Sequence, residues 1–240
     1  RDAFAERFGT DLKALIPVAG EPMIRRPVRA LLQSKSVGKI LVLSQSPHRI
    51  AAVLPDDPRI DVRESEGSIA EALEQFILDH DTRFPILVTT ADHALLDEQM
   101  IAEFTARAEG ADLAVGVVER RSLLERLPQA KRTWIGFRGG AYSGANLFAF
   151  GSIKALAAIE QWRSVEQDRK KGWRVLAALG PALLLGAVLR VRTIDQSVAS
   201  IAARLGLTAR VIVLSNPLAA VDVDKPVDHA VVEAILAGKA

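Results

Sequence analysis

Short apolar, β-branched runs alternate with amphipathic stretches along much of the chain. The runs predict strands at 39–44, 60–63, 85–90, 112–118, 133–137, 145–150 and 209–214. Apolar residues at helical spacing, such as Ile24, Val28, Leu31 and Leu32, predict helices between them. Ser68 and Asp97 are placed to cap two of these helices. The alternation over residues 24–118 predicts an α/β fold with a mostly parallel sheet.

The pattern changes after Phe150. Residues 151–207 are helical in pattern and contain no predicted strand, so we interpret them as an insertion in a single domain spanning 1–240. The apolar run 182–189 within this helical insert predicts a role in acceptor choice or in forming a homo-oligomer. Because an α/β domain that opens in a polar loop looks incomplete, we expect a first strand and a glycine-rich loop before Arg1.

Composition excludes several classes of protein. The 240 residues are 49% hydrophobic and 25% charged, with a net charge of +2 and no cysteine. This excludes disulfides, thiolate metal sites and a thiol nucleophile, and it is consistent with a cytoplasmic location. No apolar stretch is long enough to cross a membrane. Basic residues are scattered, and their densest cluster, at 169–171, is interpreted as a solvated helix face, so we expect no nucleic-acid partner.

Two acidic motifs lie at or just beyond the ends of apolar segments. They are Val88–His93, which contains Asp92, and Val221–Asp228, which contains Asp222 and Asp224. Ligands bind at the carboxyl ends of strands in open α/β sheets, and paired carboxylates there suit Mg²⁺ accompanied by phosphates. Alternation with Val221 and Val223 predicts that both C-terminal aspartates share one face, so either could bind the metal. Asp228 is interpreted as a helix cap.

Other polar residues are candidates for the site, and several allow two interpretations. Lys13 either neutralises charge on a transferring phosphate or is an ordinary surface lysine. Gly67 and Ser68 either approach a base or ribose or only cap a helix, and Ser44 is a candidate for contact with the base. Asn146 is a candidate for contact with an acceptor hydroxyl. His93 either lines the site or lies in a surface loop.

Four segments, in order, resemble one family. Residues 13–23 resemble K-x-L-x-P-V-x-G-x-P-M, residues 91–96 resemble A-D-x-P-L-L, and residues 221–228 resemble D-x-D-T-P-E-D. Residues 142–146 resemble an acceptor-recognition segment. The set is similar to the MobA-like NTP transferases, whose fold is a three-layer α/β/α sandwich of the nucleotide-diphospho-sugar transferase type. Ala94 and Lys225 depart from the family pattern, which usually has proline and threonine there.

The resemblance implies a nucleotidyltransferase that needs Mg²⁺ or Mn²⁺. It would move a nucleoside monophosphate from GTP, CTP or UTP to a phosphorylated small-molecule acceptor and release pyrophosphate. Lys13 and Asp92 would be catalytic, Asp92 with Asp222 or Asp224 would bind the metal, and Gly144 and Asn146 would lie near the acceptor. Two alternatives stay open: a glycosyltransferase that uses a nucleotide-sugar donor, and a nucleotide-binding domain without catalysis.

Overall fold

The protein is an α/β structure with helices on both faces of its sheets. The computed structural model describes residues 3–79, 82–166 and 191–239. The strands are β1 (Pro17–Val18), β2 (Glu21–Pro22), β3 (Ile40–Ser44), β4 (Ile60–Glu64), β5 (Ile86–Thr89), β6 (Leu113–Glu119), β7 (Ile135–Phe137), β8 (Gly140–Phe150) and β9 (Ala209–Val213). The helices are α1 (Ala3–Glu6), α2 (Arg25–Gln33), α3 (Pro47–Ala51), α4 (Ile69–Leu78), α5 (Glu98–Ala108), α6 (Arg120–Arg126), α7 (Leu156–Glu166), α8 (Ile194–Arg204) and α9 (Pro226–Leu236).

The strands form three separate sheets. The largest has five strands in the order β5-β8-β6-β9, with β7 pairing on β8. A second sheet pairs β3 with β4 in parallel, and a small hairpin pairs β1 with β2. The predicted strands are confirmed with small differences at their ends, except that β8 begins at Gly140 and not at 145. The α/β fold is confirmed as well.

The five-stranded sheet is mixed, which corrects the expectation of a mostly parallel sheet. β8 runs antiparallel to β5, β6 and β7, whereas β6 and β9 are parallel. For β7 and β8 the reason is their short connection, where Gly139 adopts a φ of +97°. A connection of that length makes a hairpin, because a parallel crossover needs a dozen or more residues.

Side-chain caps fix the starts of two helices, as predicted. Ser68 Oγ accepts a hydrogen bond from the Glu71 backbone N–H, and the Glu71 carboxylate accepts one from the Ser68 N–H. This reciprocal pair satisfies two N–H groups at the start of α4. The Asp97 side chain caps α5 by accepting from the Met100 N–H.

The helical insert lies partly outside the described residues. Within it the structure has α7 and α8, and the chain then returns to the sheet as β9. The apolar run 182–189 and most of the helix predicted over 164–179 fall in the part that is not described. In the described part of the chain, no helix has both the length and the apolar character needed to span a bilayer.

One cavity separates the two larger sheets. It has a volume of about 2310 Å³ and is lined by β3 on one side and β5 on the other. Among the described residues, β3 pairs only with β4, and β5 pairs only with β8. Each of these strands therefore has one edge without a neighbouring strand, and both free edges line the cavity.

Candidate functional site

Lys13 lies between two of the predicted aspartates. Its ammonium nitrogen is 2.6 Å from Asp92 Oδ2 and also forms an ion pair with Asp224. The Lys13 and Asp92 side chains are 27% and 18% exposed, whereas that of Asp224 is 55% exposed. The structure thus brings the N-terminal lysine and both acidic motifs together.

Backbone hydrogen bonds fix the relation between the two acidic motifs. Asp92 follows β5 in a turn, and its carbonyl oxygen accepts hydrogen bonds from the N–H groups of Ala94 at 2.9 Å and Val223 at 3.1 Å. Thr90 Oγ1 donates to Asp92 Oδ1 and orients the carboxylate. Because Val223 stands between Asp222 and Asp224, its bond to Asp92 sets where both aspartates lie.

Asp222 has a different environment from Asp224. The Arg132 guanidinium binds both of its carboxylate oxygens, and the Nη2–Oδ2 distance is 3.0 Å. Asn146 Nδ2 donates a third hydrogen bond to Oδ2 at 3.1 Å. The Asp222 side chain is only 11% exposed. Its carboxylate is therefore already paired with Arg132, although the Lys13 charge also acts on it.

The segment that carries these aspartates is not a strand. It follows a 3₁₀ turn, Pro217–Ala220, and has no ladder partner, so strand alternation does not place Asp222 and Asp224 on a shared face. Val221 and Val223 are buried and anchor the segment in the core. Asp228 accepts hydrogen bonds from the N–H groups of Asp224 and Lys225, in agreement with its interpretation as a cap of α9.

A bulge in β8 orients Asn146. The register between β6 and β8 shifts between Val115 and Val117, and Asn146 adopts a φ of +49°. Asparagine tolerates this left-handed conformation better than most residues. The bulge turns the Asn146 amide towards Asp222, and Gly144, two residues earlier, lies exposed with open space around it.

Counting charges distinguishes the two C-terminal aspartates. Asp222 and Arg132 together are neutral. Lys13 with Asp92 and Asp224 leaves one net negative charge in a partly buried cluster. A further cation would therefore gain more between Asp92 and Asp224 than beside Asp222.

The donor set fits a hard divalent cation. Two carboxylates already converge on one positive nitrogen, that of Lys13. The described residues contain no cluster of three or more histidine, cysteine or acidic side chains arranged to hold a metal. Such a site suits Mg²⁺, which keeps several waters and uses one or two carboxylates together with substrate phosphates.

The electrostatics keep the key groups charged. Burial tends to lower the pKa of Lys13, but attraction to Asp92 and hydrogen bonds to Asp224 and Asp92 outweigh it and raise the pKa above its ordinary value. Burial tends to raise the pKa of Asp222, but Arg132 and Asn146 outweigh it and lower the pKa. Lys13 is therefore a cation and Asp222 an anion at neutral pH.

His93 is buried beneath the site. It does not lie in a surface loop, and its pKa is well below neutral pH. It is 0% exposed, and its Nδ1 lies 3.1 Å from Thr89 Oγ1. Burial lowers its pKa to about 4. The ring is thus a neutral core group that packs under the Asp92 turn.

The residues predicted to contact the nucleoside lie along the cavity. Ser44, Gly67 and Ser68 all line it. Asn146, which was predicted to contact the acceptor, also lines the cavity, as do Thr90 and Ala91. The Ser44 hydroxyl accepts a hydrogen bond from the backbone N–H of Ser46, and the Ser68 hydroxyl accepts one from that of Glu71. Gly67 has a φ of +85°, which strains any residue with a side chain, and a Cβ there would lie 2.4 Å from Glu71 Oε2 and displace this flexible carboxylate from the cap.

Sequence reasoning missed Arg132. It lies in the irregular segment between α6 and β7, and its distance of 90 residues from Asp222 gives no spacing signal. A buried aspartate with an apolar residue on each side needs a cation or several donors, so Asp222 itself was the available clue.

The chain is similar to known transferases in sequence and in fold. Residues 4–183 match the family model of the MobA-like NTP transferase domain. A structure described as a hypothetical transferase from Thermus thermophilus superposes with a TM-score of 0.82 at 28% identity, covering 95% of both chains. No curated protein sequence matches the chain.

Two more distant structures share the fold. A 4-diphosphocytidyl-2C-methyl-D-erythritol synthase from Anaerococcus prevotii has a TM-score of 0.59 at 10% identity, covering 92% of this chain and 88% of the synthase. A second structure of a synthase with this name has a TM-score of 0.57 at 14% identity, covering 93% and 94%. At these identities the similarity shows the fold alone.

Proposed function

The chain belongs to the MobA-like NTP transferase family, and we propose that it transfers a nucleoside monophosphate from an NTP to a phosphorylated small-molecule acceptor. One observation carries the proposal: Lys13 and the carboxylates of Asp92 and Asp224 converge beyond the end of β5. Ligands in open α/β folds bind at the carboxyl ends of strands. At such an edge, the lysine can stabilise negative charge on a triphosphate, and the paired carboxylates can bind the metal ion that accompanies it.

The reaction needs orientation and charge more than proton transfer. A phosphate oxygen of the acceptor attacks the α-phosphorus, a new P–O bond forms, and the bond from the α-phosphorus to the bridging oxygen breaks. Pyrophosphate leaves with that electron pair. A phosphate dianion carries no proton at its attacking oxygen, so no general base is required. This agrees with a site whose nearest histidine, His93, is buried and neutral.

Lys13 stabilises the negative charge that develops on the α-phosphate. Its raised pKa keeps it cationic, and its ion pairs hold the ammonium in place before substrate arrives. Preorganised charge of this kind is a main contribution to phosphoryl-type transfer. Mg²⁺ or Mn²⁺, bound to Asp92 and Asp224, would supply further positive charge to the phosphate oxygens.

The two sides of the site suggest where each substrate lies. We place the nucleoside along the cavity wall formed by Ser44, Gly67 and Ser68, close to the end of β3. Gly144 and Asn146 lie on the β8 side, beside Asp222, and we place the acceptor there. Two proteins of the same fold are named as diphosphocytidyl-methylerythritol synthases, so CTP is the first donor to test.

A pyrophosphate-release assay tests the proposal. GTP, CTP, UTP and ATP would each be incubated with a panel of phosphorylated sugars and alcohols, with and without Mg²⁺ or Mn²⁺. We expect release that requires one NTP, one class of acceptor and the metal. Turnover of a nucleotide-sugar without pyrophosphate would favour a glycosyltransferase, and nucleotide binding without any turnover would favour a non-catalytic domain.

Removing Arg132 is expected to destabilise the protein and disturb metal selection. Arg132→Met leaves Asp222 charged and poorly exposed, and breaking such a buried pair costs on the order of 3 kcal/mol. The freed carboxylate can then compete with Asp224 for the metal, so we expect a lower kcat as well. Urea unfolding and steady-state kinetics measure the two effects, with the exposed neighbour Lys131→Met as the matched control.

The loss of stability in Arg132→Met should depend on pH in a defined direction. Because the folded protein lowers the pKa of Asp222, its contribution to stability is present above the unfolded pKa of about 3.9 and is lost as the pH falls through the folded pKa. The difference between wild type and Arg132→Met should therefore be large at pH 7 and shrink below pH 4. A difference that is constant with pH would contradict this role of the ion pair.

A further inference from the structure

The β1–β2 hairpin follows Lys13 along the chain and is bonded directly to the segment that carries it. The Met23 N–H donates to the Ile16 carbonyl oxygen at 2.9 Å, and the Ile24 N–H donates to the Ala14 carbonyl oxygen at 3.0 Å. These two bonds tie the residues after β2 to the 3₁₀ turn that begins at Lys13. A displacement of the hairpin would therefore displace Lys13 as well.

The hairpin needs support from outside itself. Each of its strands has two residues, and an isolated two-stranded hairpin is marginally stable at best. Its turn contains Ala19 with a φ of +51° and Gly20 with a φ of +80°. Glycine adopts such angles freely, whereas alanine is strained in the left-handed region. A strained turn of this kind persists only where its surroundings hold it.

Two side chains of α9 supply this support. The Glu233 carboxylate accepts a hydrogen bond from the Ala19 N–H at 2.7 Å, and His229 Nε2 lies 2.7 Å from the Pro17 carbonyl oxygen. Because a carbonyl oxygen can only accept, Nε2 is a protonated ring nitrogen and donates. The two side chains are four residues apart, so they hold the hairpin from the same face of the helix.

The same helix holds Asp224 at its N-terminus. Asp228, in the first turn of α9, accepts hydrogen bonds from the N–H groups of Asp224 at 3.3 Å and Lys225 at 2.9 Å. Asp228 and Glu233 are separated by about 7.5 Å along the helix axis. One rigid element therefore places a carboxylate that pairs with Lys13 and also supports the hairpin bonded to the Lys13 segment.

We propose that His229 and Glu233 are positioning residues: they hold the β1–β2 hairpin so that the Lys13 ammonium lies between its two carboxylate partners. This role rests on the proposed function, in which Lys13 acts on the transferring phosphate. Both side chains bind backbone groups of the hairpin and act on the reaction through Lys13. A displacement of about 1 Å at a reacting group can lower a rate about a hundredfold.

Loss of either side chain is expected to lower kcat and to leave substrate affinity nearly unchanged. In Glu233→Ala and His229→Ala, kcat should fall by at least about tenfold, with less than about a twofold change in the KM for the NTP. The reason is that a displaced Lys13 loses its effect on the transition state, while the cavity that receives the nucleoside is unaltered. Steady-state kinetics at saturating Mg²⁺ measure both constants.

Two further variants separate positioning from general stability. Glu233→Gln keeps a side-chain oxygen that can accept the Ala19 N–H, so it should retain most of the wild-type kcat. Ala230→Gly weakens the same helix at an exposed residue, and it should lower the melting temperature without lowering kcat.

Trace labelling of lysines with acetic anhydride gives a readout that does not depend on activity. Its ion pairs raise the pKa of Lys13, and only the unprotonated amine reacts. Peptide mass spectrometry would compare Lys13 with the exposed Lys35 in the same sample. We expect Lys13 to react at least about threefold faster in Glu233→Ala and His229→Ala than in wild type, and at the wild-type rate in Glu233→Gln.

The kinetic and labelling results distinguish the positioning role from the proposed function. If the wild-type protein turns over no NTP, the proposed function fails, and the labelling still decides whether α9 holds Lys13. Unchanged labelling in both alanine variants would refute the positioning role, and wild-type turnover would leave the proposed function standing. An equal fall of kcat in Glu233→Ala and Ala230→Gly would also refute it, because helix stability alone would then explain the loss.

Discussion

Replacing Asp92 with asparagine is expected to abolish nearly all metal-dependent nucleotidyl transfer while the protein stays folded. Asparagine keeps the shape of the side chain, and the backbone bonds from Ala94 and Val223 to the residue 92 carbonyl oxygen do not depend on the carboxylate. The loss of one charge from the cation site should lower kcat by at least about a hundredfold, or about 2.7 kcal/mol. Steady-state kinetics over a range of Mg²⁺ and Mn²⁺ concentrations measure it.

Two matched variants sharpen this prediction. Glu98→Gln changes an exposed carboxylate near the start of α5 and should leave both activity and metal affinity unchanged. Asp224→Asn should weaken metal binding in the same direction as Asp92→Asn, because both carboxylates contact Lys13. Unchanged metal affinity in Asp92→Asn, with a normal melting temperature, would sink the assignment.

Replacing Lys13 with methionine is expected to lower kcat far more than it changes KM. The ammonium is held by Asp92 and Asp224 where charge develops on the transferring phosphate, so its main effect is on the transition state. A loss of about a hundredfold is typical when one preorganised donor to such a charge is removed. Lys35→Met, on an exposed lysine, serves as the control for the loss of one positive charge.

The balance between kcat and KM decides the role of Lys13. A rise in KM with kcat intact would mean that Lys13 binds the ground state and the transition state equally. Metal titration of the same variant adds an independent check. Without the lysine, Asp92 and Asp224 face each other uncompensated, so metal affinity should rise even as turnover falls.

The strands could be predicted from sequence because their signal is local. The apolar runs over residues 40–44 and 86–89 are short and bounded by polar residues, and the structure has strands there. The direction of β8 could not be read in the same way. Its antiparallel pairing with β7 depends on the two-residue connection before Gly140, and the alternation of helices and strands that predicted a parallel sheet extends only to residue 118.

The arrangement of the candidate site was predictable in part for the same reason. Lys13 and Asp92 stand in ordered motifs, and their proximity follows from the rule that strand ends meet at one edge of a sheet. The proposal that Asp224 rather than Asp222 binds the metal rests on Arg132, which approaches Asp222 from a distant loop. Ion pairs between residues so far apart leave no pattern in a single sequence.

The fate of labelled phosphate tests the central claim most directly. The protein would be incubated with Mg²⁺, the preferred acceptor, and the same NTP labelled either at the α-phosphorus or at the γ-phosphorus. Transfer of a nucleoside monophosphate predicts that the α-label appears in the acceptor product and the γ-label in pyrophosphate. In the Asp92→Asn variant, neither label should leave the NTP. Appearance of the γ-label in the acceptor, or release of inorganic phosphate in place of pyrophosphate, would contradict the account.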